Sequence, residues 1–245
     1  MNMKIDDWNI YYNNRITDIE ELVKDVLLNK TYEIIKEYKN DKRSYIAVIK
    51  FKDKKIILKY PKNEVRIPQR KIMTLLKKGE ALNTYERINK YKDKGLDNLC
   101  DIYAVGIRRR YGMISNSFMI MEYVDGRETQ PEKIDDIELL MEGLKKLHSF
   151  GLQHGDANPR NFMVDKQSNK LKIIDTQLKK DIFKIGSNYD FINLYYSEVK
   201  NAFDYVNQNT LAFKIAMMQK KLKRLKVVSY IKKIKKKLRN KGWRI

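Results

Sequence analysis

Three side chains at fixed spacing in the second half of the chain could share one piece of chemistry. Asp156 lies in the loop Leu152-Gln153-His154-Gly155-Asp156-Ala157-Asn158-Pro159-Arg160-Asn161, and Asp175 closes the apolar run Ile173-Ile174-Asp175. Two short strands, Phe162–Asp165 and Lys170–Asp175, bracket the turn Gln167-Ser168-Asn169, so a hairpin brings Asp175 back toward the loop. Two carboxylates and a carboxamide at one spot suit phosphoryl transfer. One carboxylate orients an acceptor hydroxyl and takes its proton, while the amide and the other carboxylate hold Mg²⁺ on nucleotide phosphates. Each residue alone would be an ordinary surface group. The joint spacing, with an apolar strand leading into Asp175, carries the reading.

The elements that must hold these residues follow from periodicity. Thr17-x-x-Glu20 is a capping-box pattern ahead of an amphipathic helix bearing Ile19, Leu22, Val23, Val26 and Leu27. Tyr32–Tyr38, Tyr45–Phe51 and Lys55–Tyr60 read as three short strands with polar turns. Pro61 and Pro68 bracket a loop, and a helix over Lys71 to about Lys92 ends near Gly95. Strand patterning returns at Asp101–Arg108 and Ser117–Val124, followed by a turn at Asp125-Gly126. A helix over Ile134–Phe150 sets Ile137, Leu140, Met141, Leu144 and Leu147 on one face. Helical patterning resumes near Asp190 and runs into the C-terminal segment. This order describes an α+β protein of two lobes with a cleft between them.

The loop resembles the catalytic loop of the protein-kinase-like superfamily, His-Arg-Asp followed by four residues and Asn. Here it reads His154-Gly155-Asp156 with Asn161 in register, and the His-Gly-Asp form is similar to that of aminoglycoside and choline kinases. The resemblance implies that Asp156 is the catalytic base, Asn161 a metal ligand and Asp175 the main Mg²⁺ ligand, with His154 supporting the loop from behind. It implies a small antiparallel-sheet N-lobe with one helix over 1–117, a hinge over 118–126, a mainly helical catalytic C-lobe over 127–211, and a basic amphipathic segment over 212–245. Lys59, which interrupts the strand run Ile56-Ile57-Leu58-Lys59, stands where the phosphate-binding lysine is expected. Its helix partner is Glu80 or Glu86, which lie on different faces of a helix, and Glu80 is favoured. In the hinge-like run Phe118–Val124, the Glu122 carbonyl and Val124 amide would pair with adenine, with Met121 as gatekeeper. ATP and Mg²⁺ are the cofactors implied.

There are departures from that pattern. The turn Asn40-Asp41-Lys42-Arg43-Ser44 contains no glycine to cradle phosphates, and Lys42, Arg43 or Ser44 are the side chains that could substitute. Asp175 is followed by Thr176-Gln177 rather than Phe-Gly. Gly155 replaces the arginine that reads a phosphorylated activation loop, and no Ala-Pro-Glu element follows, so no activating phosphorylation is expected. Other features look like the lipopolysaccharide core heptose(II) kinases: Lys78-Gly79-Glu80-Ala81, Glu122-Tyr123-Val124-Asp125-Gly126, Lys146-Leu147-His148, and Asn161-Phe162-Met163-Val164 before Ile173-Ile174-Asp175. That resemblance, from about Tyr32 onward, implies phosphorylation of a sugar hydroxyl on a lipid-anchored acceptor at the cytoplasmic membrane face. Another small-molecule kinase, an atypical protein kinase, and a pseudokinase or anionic-lipid or nucleic-acid binding module remain as alternatives.

Composition bounds these readings. The 245 residues include 42% hydrophobic side chains and 16 tyrosines, as expected of a folded chain. One cysteine, Cys100, allows no internal disulfide, and with two histidines a zinc site is not expected. No apolar run approaches bilayer length, and Met1–Trp8 lacks a signal-peptide core. The net charge is +21, from 52 Lys and Arg against 31 Asp and Glu. Its distribution is uneven: residues 214–245 hold 11 Lys and 3 Arg and no acid. There, Ile215, Met218, Leu222 and Leu225, then Val228, Ile231, Ile234 and Leu238, form a helical apolar stripe among lysines. Such a segment is expected to meet an anionic membrane surface, making the protein cytoplasmic and peripheral, with no nucleic-acid partner; the alternative is a terminal helix packed on the C-lobe with a solvated lysine face.

Overall fold

The period-two alternation that marks the central strands continues further toward the N-terminus than the sequence reading allows. In the computed structural model, which describes residues 1–29 and 31–225, Asn2–Ile5 (β1) and Trp8–Tyr12 (β2) are strands. They pair antiparallel around the turn at Asp6, whose φ is +51°. Trp8, Ile10 and Tyr12 then share one face, and both Ile10 and Tyr12 are buried. The polar start of the chain is therefore an edge hairpin.

The chain forms two units, one over Met1–Val124 and the other from Asp125 onward. The first is built on a seven-stranded antiparallel sheet. Its further strands are Glu33–Asn40 (β3), Ser44–Phe51 (β4), Lys54–Pro61 (β5), Ile102–Arg110 (β6) and Met113–Glu122 (β7), in the spatial order β1-β2-β6-β7-β5-β4-β3. One face carries Ile10, Ile49, Ile56, Leu58, Phe118 and Ile120 under the helix Ile19–Lys24 (α1), which contributes Leu22 and Val23. Each such side chain, once fully buried, contributes about 1.5–3 kcal/mol.

The capping box does not form. Asp18 occupies the N-cap in a left-handed conformation without a side-chain bond. The Thr17 hydroxyl accepts from the Lys54 ammonium, and Glu20 accepts from the Tyr12 hydroxyl, so tertiary partners have taken both groups. The helix expected over Lys71–Lys92 is also broken. Asn63–Arg66 (α2) and Pro68–Met73 (α3) are short turns, and the regular helix is Glu80–Lys92 (α4). Gly79 precedes it with φ +98°, and a Cβ there would lie 2.4 Å from Ile114 Cδ1. The buried carboxylate of Glu64 receives the Glu80 N–H at 3.0 and 3.1 Å, capping α4 from outside the helix.

The second unit begins with Gly126–Glu128 (β8), whose partner is Phe162–Asp165 (β10); β10 pairs in turn with Leu171–Ile173 (β11). Helix Ile134–Ser149 (α5) buries Ile137, Leu140, Met141, Leu144 and Leu147, as its periodicity requires. Leu152–Gln153 (β9) pairs with Lys179–Lys180 (β12). Helices Ile185–Tyr195 (α6) and Leu211–Arg224 (α7) pack through Ile192, Phe213 and Ala216. The face α7 buries is not its predicted stripe. Met218, Leu222 and Leu225 are about half exposed, and Val228, Ile231, Ile234 and Leu238 lie outside the described residues. The whole is α+β: an antiparallel sheet with one regular α4 helix and a short α1, then a mainly helical unit, as in the protein-kinase-like fold.

Candidate active site

The loop after β9 is anchored by one carboxylate. Asp190 of α6 is fully buried and accepts the His154 N–H at 2.7 Å, the Gly155 N–H at 2.9 Å and His148 Nε2 at 3.1 Å. Charge-assisted bonds to backbone amides are stronger than neutral ones, so the loop is fixed from below. Gly155 takes φ +87°, a conformation that favours glycine, which gives a local reason for glycine where protein kinases carry arginine. Nothing in the sequence motif marks Asp190. The available signal is an acid directly before the mostly apolar run Phe191-Ile192-Asn193-Leu194, where a charge needs buried partners.

Above that anchor, the predicted catalytic residues are joined by hydrogen bonds. The Asn161 side chain donates Nδ2 to the Asp156 carbonyl at 2.8 Å, and the Ile174 N–H donates to the Asn161 carbonyl at 2.9 Å. The residue before Asp175 is thus tied to the loop that carries Asp156. With Nδ2 committed, Asn161 keeps Oδ1 for a cation. Asp156 and Asp175 are both exposed. Asp175 sits at φ +50°, which costs a non-glycine residue about 1–2 kcal/mol and is a strain of the kind found at functional sites. Oxygen donors of this type, one amide and one carboxylate, fit Mg²⁺.

His154 is fully buried, and burial holds its imidazole below the usual histidine range, so it is neutral. Its Nδ1 accepts the Asp156 N–H at 3.3 Å, which puts the proton on Nε2. Nε2 makes no well-formed hydrogen bond; the backbone of Ile174 is the polar group that faces the ring. The Thr176 hydroxyl, buried in the place of phenylalanine, donates to the His154 carbonyl and accepts the Leu178 N–H at 3.2 Å. This threonine binds the strand after Asp175 to the catalytic loop by hydrogen bonds where protein kinases use an apolar ring.

In the first unit, Lys59 lies on β5 directly opposite Met119 of β7, half-buried, on the face away from Leu58 and Tyr60. Its expected partner Glu80 instead meets Arg70 at 3.1 Å, and Glu86 meets Lys78 at 2.8 Å. The cause is the broken helix: α3 delivers Arg70 beside the first turn of α4. In the hinge-like run, Met121 stands opposite Ile57 and is half-buried, and Val124 is buried. The Glu122 backbone N–H donates to the Asp101 carbonyl at 2.9 Å, its carboxylate accepts the Asp101 N–H at 2.8 Å, and Cys100 Sγ approaches its carbonyl at 3.5 Å. At the β3–β4 turn, Asp41 Oδ1 accepts the N–H groups of Arg43 at 2.7 Å and Ser44 at 2.9 Å. Those two amides, which a glycine-rich loop would offer to phosphates, are spent inside the turn. They also hold the Asp41 carboxyl below its usual range.

Three cations of α7 gather against α6 in the second unit, and one of them, Lys220, feels Asp156. Lys220 of α7 donates to Asn193 Oδ1 at 2.6 Å and stands over the rings of Tyr189 and Tyr196. Lys223 stands 4.3 Å from the Tyr189 ring and Arg224 4.1 Å from that of Tyr196. Burial, then Arg224 and Lys223, push the Lys220 ammonium down, and Asp156 opposes that shift. No carboxylate among the described residues forms an ion pair with any of the three.

Comparison with known proteins follows the same line. The family model described as lipopolysaccharide core biosynthesis protein (WaaY) matches residues 1–237. The lipopolysaccharide core heptose(II) kinase WaaY of Escherichia coli (strain K12) is 28% identical over 157 residues, covering 62% of this chain and 66% of that protein. The probable serine/threonine-protein kinase fnkB of Dictyostelium discoideum is 40% identical over 62 residues, 24% of this chain and 12% of that protein. The chain thus spans just under two thirds of the first relative and a small part of the second. Among solved structures, a mutant of the Mycobacterium tuberculosis PknI kinase domain aligns at a TM-score of 0.38 and 13% identity, over 68% of this chain and 73% of that one.

Proposed function

The chain belongs to the lipopolysaccharide core biosynthesis protein (WaaY) family, and from that premise we propose that it is a kinase that transfers the γ-phosphate of ATP to a heptose hydroxyl of the lipopolysaccharide inner core. The observation that carries the reading is the bond from Asn161 Nδ2 to the Asp156 carbonyl, which joins the candidate base to the candidate metal ligand. Asp156 orients the acceptor hydroxyl and receives its proton as the oxygen attacks phosphorus. Asn161 Oδ1 and Asp175 would hold Mg²⁺, which when bound neutralises charge on the phosphates. Lys59 is the candidate phosphate ligand of the first unit, and the backbone of Glu122 and Val124 its candidate adenine edge, with Met121 beside it.

The Lys220, Lys223 and Arg224 cluster favours an anionic acceptor. A cationic one, such as an aminoglycoside, would be repelled by this cluster, in which Lys220 is the member that feels Asp156. The exposed stripe of Met218, Leu222 and Leu225 beside Lys214 and Lys221 supports contact of α7 with an anionic membrane, and hence work at the inner face of the cytoplasmic membrane. No helix among the described residues is long and apolar enough to cross a membrane.

The test is transfer of labelled phosphate from ATP to purified heptose-containing core acceptor. The wild-type chain transfers label and Asp156→Asn does not. Absence of transfer by the wild-type chain removes the acceptor assignment, and equal transfer by Asp156→Asn removes the base.

A further inference from the structure

The connection between α3 and α4 and the turn joining β6 to β7 form a single corner, because Arg109 ties them together. Its Nη1 donates to the carbonyls of Thr74 at 2.7 Å and Gly112 at 2.6 Å, and its Nη2 donates to that of Lys77 at 2.9 Å. The buried Thr74 locks the same place: its hydroxyl donates to the Lys71 carbonyl at 2.5 Å and accepts the Ile114 N–H at 2.9 Å. All of these bonds are committed to holding a surface loop still.

What the corner displays is apolar. Ile72, Met73, Leu75, Leu76 and Tyr111 are all exposed, Leu76 at 94% and Tyr111 at 82%. A fixed projection of large apolar side chains adds nothing to the core of this unit and marks an interaction surface. Its electrostatic setting is one-sided. Residues 65–79 contain five Lys and Arg and residues 102–121 three, and neither segment contains an acid. Arg70 and Lys78 are offset by Glu80 and Glu86. Lys77 and Arg110 are exposed, and Arg110 lies 5.3 Å from the Tyr111 ring.

We propose that this corner of the first unit inserts Leu75, Leu76 and Tyr111 into the headgroup region of an anionic bilayer, with Lys71, Lys77 and Arg110 on the lipid phosphates. An apolar tip with a cationic rim matches both layers of such an interface. A second copy of the chain is the less favoured occupant, because a two-fold contact would set the same cations against each other. The contact is separate from the α7 stripe and does not depend on the identity of the acceptor.

The experiment uses the full chain with Leu76→Cys carrying an environment-sensitive nitrobenzoxadiazole label; the native Cys100 is buried, so the added thiol is the reactive one. Vesicles of phosphatidylethanolamine and phosphatidylglycerol should shift the emission to the blue and raise it several-fold, and phosphatidylcholine vesicles should leave it unchanged. Unchanged emission while the protein co-sediments with anionic vesicles overturns the proposal, since another segment then makes the contact. An emission change that grows with protein concentration in the absence of lipid overturns it in favour of a second copy. In parallel, Leu76→Asp/Tyr111→Asp, which alters only exposed positions, should weaken sedimentation with anionic vesicles about tenfold; sedimentation equal to wild type overturns the proposal as well.

Discussion

Replacing Asp190 with alanine gives the sharpest test of how the catalytic loop is held. The carboxylate is fully buried and receives the N–H groups of His154 and Gly155 at 2.7 and 2.9 Å. Alanine leaves both donors without an acceptor, and an unsatisfied buried donor costs about 1–3 kcal/mol. Removing a buried carboxylate recovers part of that, because its own desolvation no longer has to be offset. The net expectation is a loss of about 2–4 kcal/mol in the second unit. With a urea dependence of about 1–3 kcal/mol per molar, its unfolding midpoint should fall by about 1–2 M. Asp190→Asn should lose nearly as much, since its amide NH₂ faces one of the two donors. Amide hydrogen exchange read by mass spectrometry at 154–155 should speed up in both variants, because the two N–H groups lose their acceptor. A urea midpoint within about 0.3 M of wild type, together with unchanged exchange, would refute the assignment of Asp190 as the anchor.

Two further predictions concern charge. His154 is held below its usual pKa by burial, so below about pH 6.5 the unfolded chain binds a proton that the folded chain refuses, and stability falls as pH drops through that window. The wild-type urea midpoint should therefore decline from about pH 7.5 to about pH 5.5 more steeply than that of His154→Gln; equal slopes would mean that His154 titrates normally. Lys220→Gln/Lys223→Gln should raise KM for the acceptor about tenfold and leave KM for ATP unchanged. The pair Lys214→Gln/Lys221→Gln removes the same charge from another face of α7, and an equal effect there would assign the gain to net charge rather than to the cluster.

The parts of this fold that were legible in the sequence are those decided by local pattern. Helix α5 follows its five apolar positions, and the hairpin after Asn161 follows two short apolar runs around a polar turn. The grouping of Asp156 with Asn161 was legible because the two are close in sequence and their bond spans five residues. What sequence reasoning missed is set by partners far along the chain. Asp190 binds an amide 36 residues away, and Arg109 breaks the expected long helix by taking carbonyls at Thr74 and Lys77, 35 and 32 residues back. Glu80 was favoured over Glu86 as the partner of Lys59 on family grounds, and in the structure Glu80 meets Arg70 and Glu86 meets Lys78. Thr17 and Glu20 fit a capping box by type, and only the neighbouring strands reveal that Lys54 and Tyr12 claim them. The apolar stripe of α7 was found, but the helix packs by Phe213 and Ala216 and turns the stripe outward.

Three of the departures from the protein-kinase pattern are not simple losses, since each has a local replacement. Where protein kinases carry arginine, Gly155 adopts φ +87° and offers its N–H to Asp190, so the loop is tied downward to α6 rather than outward to a phosphorylated segment. Where phenylalanine would pack, the Thr176 hydroxyl bridges the His154 carbonyl and the Leu178 N–H, holding the same two strands by polar bonds. Where glycines would free backbone amides for phosphates, Asp41 consumes those of Arg43 and Ser44, which makes the turn rigid and leaves Lys42 and Arg43 exposed. Under the proposed function, phosphate contacts from that turn would come from these cationic side chains. Such contacts act as point charges without the directional constraint of an amide cradle, so nucleotide binding should depend on salt more steeply than in an enzyme with a glycine-rich loop.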